Sequence, residues 1–125
     1  MAARKSRFAG FTLVEIMIVV SIIGLLAAIA MPNWVRARSN SQATACINNL
    51  RQIDGAKQQW ALENKVTGTN TPSIDQIQPY LGRGTAGMRP ACPNDPTQNF
   101  GASYTMGDLA TPPTCQINPT NHVLQ

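Results

Sequence analysis

Apolar residues run almost unbroken from Phe11 to Val35, then thin beyond Arg36 to a stripe that returns every three or four positions. Within the first stretch, FTLVEIMIVVSIIGLLAAIAMP, only Glu15 carries a charge, and the 20 residues from Ile16 to Val35 carry none. Wound as a helix, those residues would rise about 30 Å, the thickness of the hydrocarbon core of a bilayer. The stripe beyond them consists of Ala43, Cys46, Ile47, Leu50, Ile53, Ala56 and Trp60, one face of an amphipathic helix. No breaker separates the two patterns. They predict one helix from Phe11 to about Lys65, roughly 80 Å long, with a membrane-spanning first half (11–35) and an amphipathic continuation (36–66). Gly24 and Pro32 are its weak points. Glycine raises backbone entropy, and proline removes the hydrogen bond to residue 28 and predicts a kink.

From Thr67 the pattern changes to a small head (67–125). Gly68, Thr69, Asn70, Thr71 and Pro72 form a turn-rich break. A short helix follows: Ser73 can cap it, Asp75 suits its N-terminal dipole, and Ile74, Ile77 and Leu81 share one side before Gly82. Four short strand candidates come next, Gly87–Ala91, Ala102–Met106, Thr114–Ile117 and His122–Leu124, separated by proline and glycine. Strands this short form no stable sheet alone, so Tyr104, Met106, Ile117 and Val123 are expected to bury against the helix stripe. The predicted class is α+β: a long N-terminal helix packed on a head with a short helix and a small antiparallel sheet.

Composition sharpens this division. Over 125 residues the mean hydropathy is −0.13, the value of an ordinary soluble protein, but eight of nine prolines lie beyond residue 65. Of the formal charge of +4, Arg4, Lys5 and Arg7 supply three positives, leaving +1 from Phe11 onward. A basic balance confined to the first residues reads as a topological signal and not as a nucleic-acid footprint. The start would also suit a secretory signal, since Ala28-Ile29-Ala30 matches a small-x-small cleavage site, but the apolar run exceeds the 7–15 residues such a signal needs.

Glu15 is the anomaly. A carboxylate within an apolar segment costs about 2.5–3.5 kcal/mol at the bilayer centre and calls for a cationic partner. Basic leader, Gly10, Phe11, Thr12-Leu13-Val14, Glu15 and an apolar helix together resemble the type IV pilin superfamily, which includes pilins and the pseudopilins of type II secretion; the resemblance covers about the first 40 residues. It implies that residues 1–10 are a leader, that a membrane prepilin peptidase cuts between Gly10 and Phe11, and that the new amine of Phe11 is methylated. It implies too that Glu15 pairs with the Phe11 amine of a neighbouring subunit during assembly, and that the helix between Gly24 and Pro32 can lose regular bonding in a filament.

Three cysteines beside an export-like N-terminus suggest an oxidising compartment with one disulfide and one thiol left over. Joining Cys92 to Cys115 would close a loop of about 24 residues, worth near 3 kcal/mol; pairing of Cys46 with either is the rival. With no tight C-x-x-C spacing and no histidine close to it, no metal site is expected. His122, the sole histidine, is expected at the surface or in a strand, and no catalytic Ser-His-Asp, Cys-His or H-E-x-x-H set can be built, so the chain is not expected to be an enzyme. The resemblance also raises a C-terminal calcium loop, for which Asn94, Asp95, Asn99 and Asp108 match in composition only. No cofactor is implied.

The remaining cations, Arg36, Arg38, Arg51, Lys57, Lys65, Arg83 and Arg89, are scattered among acids, so no intrinsic nucleic-acid binding is expected. By resemblance, the expected function is that of a structural filament subunit, a type II secretion pseudopilin in the first instance and a type IV pilin of a surface fibre as the alternative. Its implied partners are other pilin-like subunits, prepilin peptidase, an inner-membrane assembly platform and lipid. The leader would face the cytoplasm and the head the periplasm.

Overall fold

The computed structural model describes residues 10–82 and 89–124. Its first element is the helix α1, Leu13–Asn64, assigned without interruption through Gly24 and Pro32. After it come the one-turn helix α2 (Ile74–Ile77), a 3-10 turn (Gln78–Tyr80), α3 (Phe100–Ser103), β1 (Tyr104–Thr105) and β2 (Thr114–Cys115). Contacts divide the chain into Met1–Ala37 and Arg38–Gln125.

In the first unit every described residue is exposed. The helix satisfies its own backbone and nothing covers its side chains: Phe11, Leu13, Leu25 and Ile29 are each at least 68% exposed. An apolar surface of that extent is stable only against lipid or other protein. By length and composition α1 can cross a membrane.

The second unit has its core on the predicted stripe. Cys46, Leu50, Ile53 and Ala56 of α1 are buried with Ile77, Leu81, Cys92, Phe100, Tyr104 and Cys115. Burying a side chain such as Leu50, Ile53 or Ile77 contributes about 1.5–3 kcal/mol each. The end of α1 is set by Lys65, whose φ of 54° is left-handed. This lets the Val66 N–H donate to the Ala61 carbonyl at 3.1 Å, closing the helix with a residue other than glycine at the position glycine usually takes. The short helix starts where expected: the Ser73 N–H donates to Gln76 Oε1 at 2.8 Å, Ile77 and Leu81 are buried and Ile74 is half-buried.

The sheet is smaller than the sequence predicts. β1 and β2 pair antiparallel, with Tyr104 opposite Cys115 and Thr105 opposite Thr114. The first part of the Ala102–Met106 candidate belongs instead to α3, because Asn99 Oδ1 accepts from the Gly101 N–H at 3.0 Å and caps a helical turn. No strand forms at His122–Leu124. The His122 N–H donates to the Asn118 carbonyl at 3.0 Å, and that turn carries His122 inward while Val123 stays 48% exposed. Ile117 also lies outside, at 38%, since the chain leaves β2 straight after Cys115. Of the candidate at Gly87–Ala91, residues 87 and 88 lie outside the described residues and 89–91 are irregular.

Candidate functional site

At the N-terminus, Thr12 precedes the first helical residue and its Oγ1 accepts from the Glu15 N–H at 3.2 Å. Thr12 thereby satisfies one of the four amides that a helix leaves unpaired at its start, and Glu15 occupies the third helical position. The carboxylate thus lies in the first turn, where the positive end of the helix dipole favours it. Threonine just before the apolar run was legible in the sequence as an N-cap. Gly10, Phe11 and Glu15 are all exposed, with Phe11 at 80%.

The head has a polar layer that periodicity did not reveal. Lys57 is fully buried on α1, and its ammonium donates to the carbonyls of Met106 at 2.9 Å and Thr111 at 2.8 Å, which lowers its pKa by burial yet keeps it bonded. Between those carbonyls, Gly107 has a φ of 66°, and a Cβ there would meet Thr111 Oγ1 at 2.7 Å, so only glycine fits. Asn49 Nδ2 donates to the Ala91 carbonyl and to Tyr104 Oη, each at 3.0 Å. Lys57 and Asn49 lie on the buried face at helical spacing from Cys46, Leu50 and Ile53, the only signal that could have marked them.

Asp95 is the hub of the loop before α3. Its Oδ1 accepts from the N–H and hydroxyl of Thr97 at 2.8 and 2.7 Å, and its Oδ2 accepts from Ser103 Oγ at 2.7 Å and the Asn99 N–H at 3.3 Å. Asp108 likewise accepts from the Ala110 and Thr111 N–H groups and the Thr111 hydroxyl. Both carboxylates are therefore engaged by their own loops.

The Thr97 and Ser103 hydroxyls hold the Asp95 pKa down to about 2, and Thr111 lowers that of Asp108. Because the folded values lie below the unfolded one of about 3.9, this stabilisation is present above that pH and is lost as pH falls toward 2. The melting temperature of the mature chain in detergent, measured with chelator and reductant present, should fall between about pH 4 and pH 2, and Asp95→Asn should flatten that fall. A wild-type melting temperature constant over the interval would contradict this account of Asp95.

The cysteines do not pair as expected. All three are free and buried; Cys92 Sγ and Cys115 Sγ are 3.9 Å apart, against about 2.05 Å for a disulfide. Nor is His122 a surface residue or a strand partner: it is 3% exposed, with Nδ1 3.8 Å from Cys92 Sγ and 3.6 Å from Cys115 Sγ. Burial raises the Cys46 and Cys92 thiols and lowers the His122 imidazole. Spacing in sequence hid this cluster, because its members come from four segments that only the fold brings together.

The family described as Prokaryotic N-terminal methylation motif matches residues 5–31, a span that contains Gly10, Phe11 and Glu15. Over 64 residues the chain is 44% identical to the type IV major pilin protein PilA of Myxococcus xanthus, covering 48% of this chain and 29% of that protein, so it spans less than a third of that relative's length. It is 31% identical over 123 residues to a type IV major fimbrial protein FimA of Dichelobacter nodosus, covering 86% of this chain and 77% of that protein. It is 26% identical over 110 residues to the type II secretion system core protein G of Aeromonas hydrophila, covering 82% and 75%. No solved structure matches. The motif, the apolar helix behind it and a fimbrial relative aligned over most of both chains place this protein in the type IV pilin superfamily, as a membrane-anchored structural subunit of the pilin or pseudopilin kind and not an enzyme.

Proposed function

We propose that the chain is cut between Gly10 and Phe11 by prepilin peptidase, methylated on the Phe11 amine, held in the inner membrane by α1 with its head in the periplasm, and polymerised through that helix into a type IV pilus-like filament. The observation that carries this reading is the first unit: a fully exposed apolar helix whose only charge before Arg36 is Glu15, one turn from the start. Glycine at the cut lets an extended backbone enter a narrow active site, and the basic leader stays on the cytoplasmic side. Lipid covers the helix before assembly, and neighbouring subunits cover it afterwards. The assembly platform and the peptidase are the remaining partners. The intact mass of the isolated subunit should fit a chain beginning at methylated Phe11; a chain beginning at Met31 would mean ordinary signal cleavage and would sink the reading.

Between the two kinds of filament, the higher identity of the pilin-named relatives shifts the weight toward a surface pilus. The pseudopilin reading keeps one observation of its own, alignment with a type II secretion core protein over most of the chain. Deleting the gene separates them: loss of surface fibres marks a pilin, and loss of exoprotein export with fibres intact marks a pseudopilin.

A further inference from the structure

Four potential ligand atoms converge in the core of the head: the sulfurs of Cys46, Cys92 and Cys115 and a ring nitrogen of His122, all within 4.8 Å of one another. Each residue is at most 3% exposed. They come from α1, the segment before α3, β2 and the C-terminal turn. We propose that Cys46, Cys92, Cys115 and His122 form a structural Zn2+ site.

The Cys92–Cys115–His122 face has the spacing of one face of a tetrahedron around an ion, and the Cys46 sulfur lies within 4.8 Å of all three. With Zn–S near 2.3 Å and Zn–N near 2.05 Å, tetrahedral coordination sets the S···S edge at about 3.8 Å and the S···N edge at about 3.6 Å. The Cys92–Cys115 edge is 3.9 Å, and the two from His122 Nδ1 are 3.8 and 3.6 Å. A Cys92–Cys115 disulfide would use two of the four groups and leave a thiol and an imidazole facing it. Three thiolates and one imidazole complete a closed four-coordinate set, which suits a structural site and leaves no position for a substrate. Binding releases three thiol protons and moves no electrons.

The polar groups around the cluster are engaged with one another. Asn49 Nδ2 donates to Tyr104 Oη at 3.0 Å beside the cluster. The Cys92 N–H donates to Ser103 Oγ at 2.9 Å, which in turn donates to Asp95. The nearby carboxylate is thereby occupied by Ser103, Thr97 and Asn99 and is not turned on the thiolates. Outer contacts of this kind fix ligand orientation in metal centres. One ion would tie the helix, the loop, the sheet and the C-terminal turn together in a head whose strands are two residues long.

The site is independent of the filament reading, and its test does not use assembly. Full-length mature chain purified from membranes in detergent should hold about one zinc per chain by elemental analysis. After removal of the metal, the reduced chain should take up Zn2+, and with Co2+ it should give the visible bands of tetrahedral thiolate cobalt. Cys46→Ser and His122→Ala should each lower bound zinc at least tenfold, while His122→Cys, which restores a fourth ligand, should keep it. A reduced wild-type chain that takes up no Zn2+ or Co2+ overturns the proposal. So does wild-type zinc content in both Cys46→Ser and His122→Ala, or a Cys92–Cys115 disulfide in chain taken from cells.

Discussion

Glu15→Ala subunits should be cleaved and reach the membrane as well as the wild type yet yield few or no filaments. The substitution removes a group that is costly in lipid, so insertion gains if it changes at all. In a filament the loss falls on the partner: the Phe11 amine of a neighbour would be buried without its counter-ion, and stranding one member of such a pair costs roughly 3–5 kcal/mol. That penalty returns at every added subunit. A smaller loss of the same sign comes from the helix start, since Glu15 sits where the dipole favours a carboxylate, while the Thr12 cap uses only the backbone N–H and survives. Glu15→Asp keeps the charge with a shorter reach and should impair assembly less. Counting filaments by electron microscopy beside a membrane-fraction immunoblot reads both effects. Wild-type filament yield from Glu15→Ala would refute the pairing.

Leu50→Ala should destabilise the head by about 2–5 kcal/mol, because it leaves a cavity where the side chain is fully buried among α1, Ile77 and Tyr104. At that cost the melting temperature of the full chain in detergent, followed by near-ultraviolet circular dichroism, should drop by roughly 8 °C or more. Leu62, 80% exposed on the same helix, is the control: Leu62→Ala should change little. Equal effects at the two positions would mean that the head does not pack on the stripe as described.

The difference between Leu50 and Leu62 is legible in the order of residues alone, and the reason is physical. Helical periodicity is a property of neighbours in sequence, so the stripe from Cys46 to Ala56, the end of α1 near Lys65 and the Ser73-capped helix can all be read. The N-terminal motif is legible for a related reason: Gly10, Phe11 and Glu15 stand within six positions of one another, so local order alone carries the match to the methylation-motif family. The head beyond Gly82 obeys other rules. Its strands are two residues long, too short for an alternation to show, and its burial is fixed by single turns. The Asn118–His122 turn exchanges the expected burial of Val123 for that of His122. The Asn99 cap turns half of a strand candidate into α3. The thiol and imidazole cluster depends on contacts between residues up to 76 positions apart, from Cys46 to His122, and no local pattern carries that.

The buried ammonium of Lys57 has a consequence for the chemistry of the outer surface. Lys5, Lys57 and Lys65 are the only lysines, and a chain beginning at Phe11 retains two. With Lys57 enclosed by the Met106 and Thr111 carbonyls, Lys65 is the one primary amine that the head offers to solvent. It stands at the left-handed turn that closes α1. Amine-directed crosslinks or fluorophores would therefore mark one defined place on every head, and a filament built from these subunits would carry a single-site lattice of reactive handles.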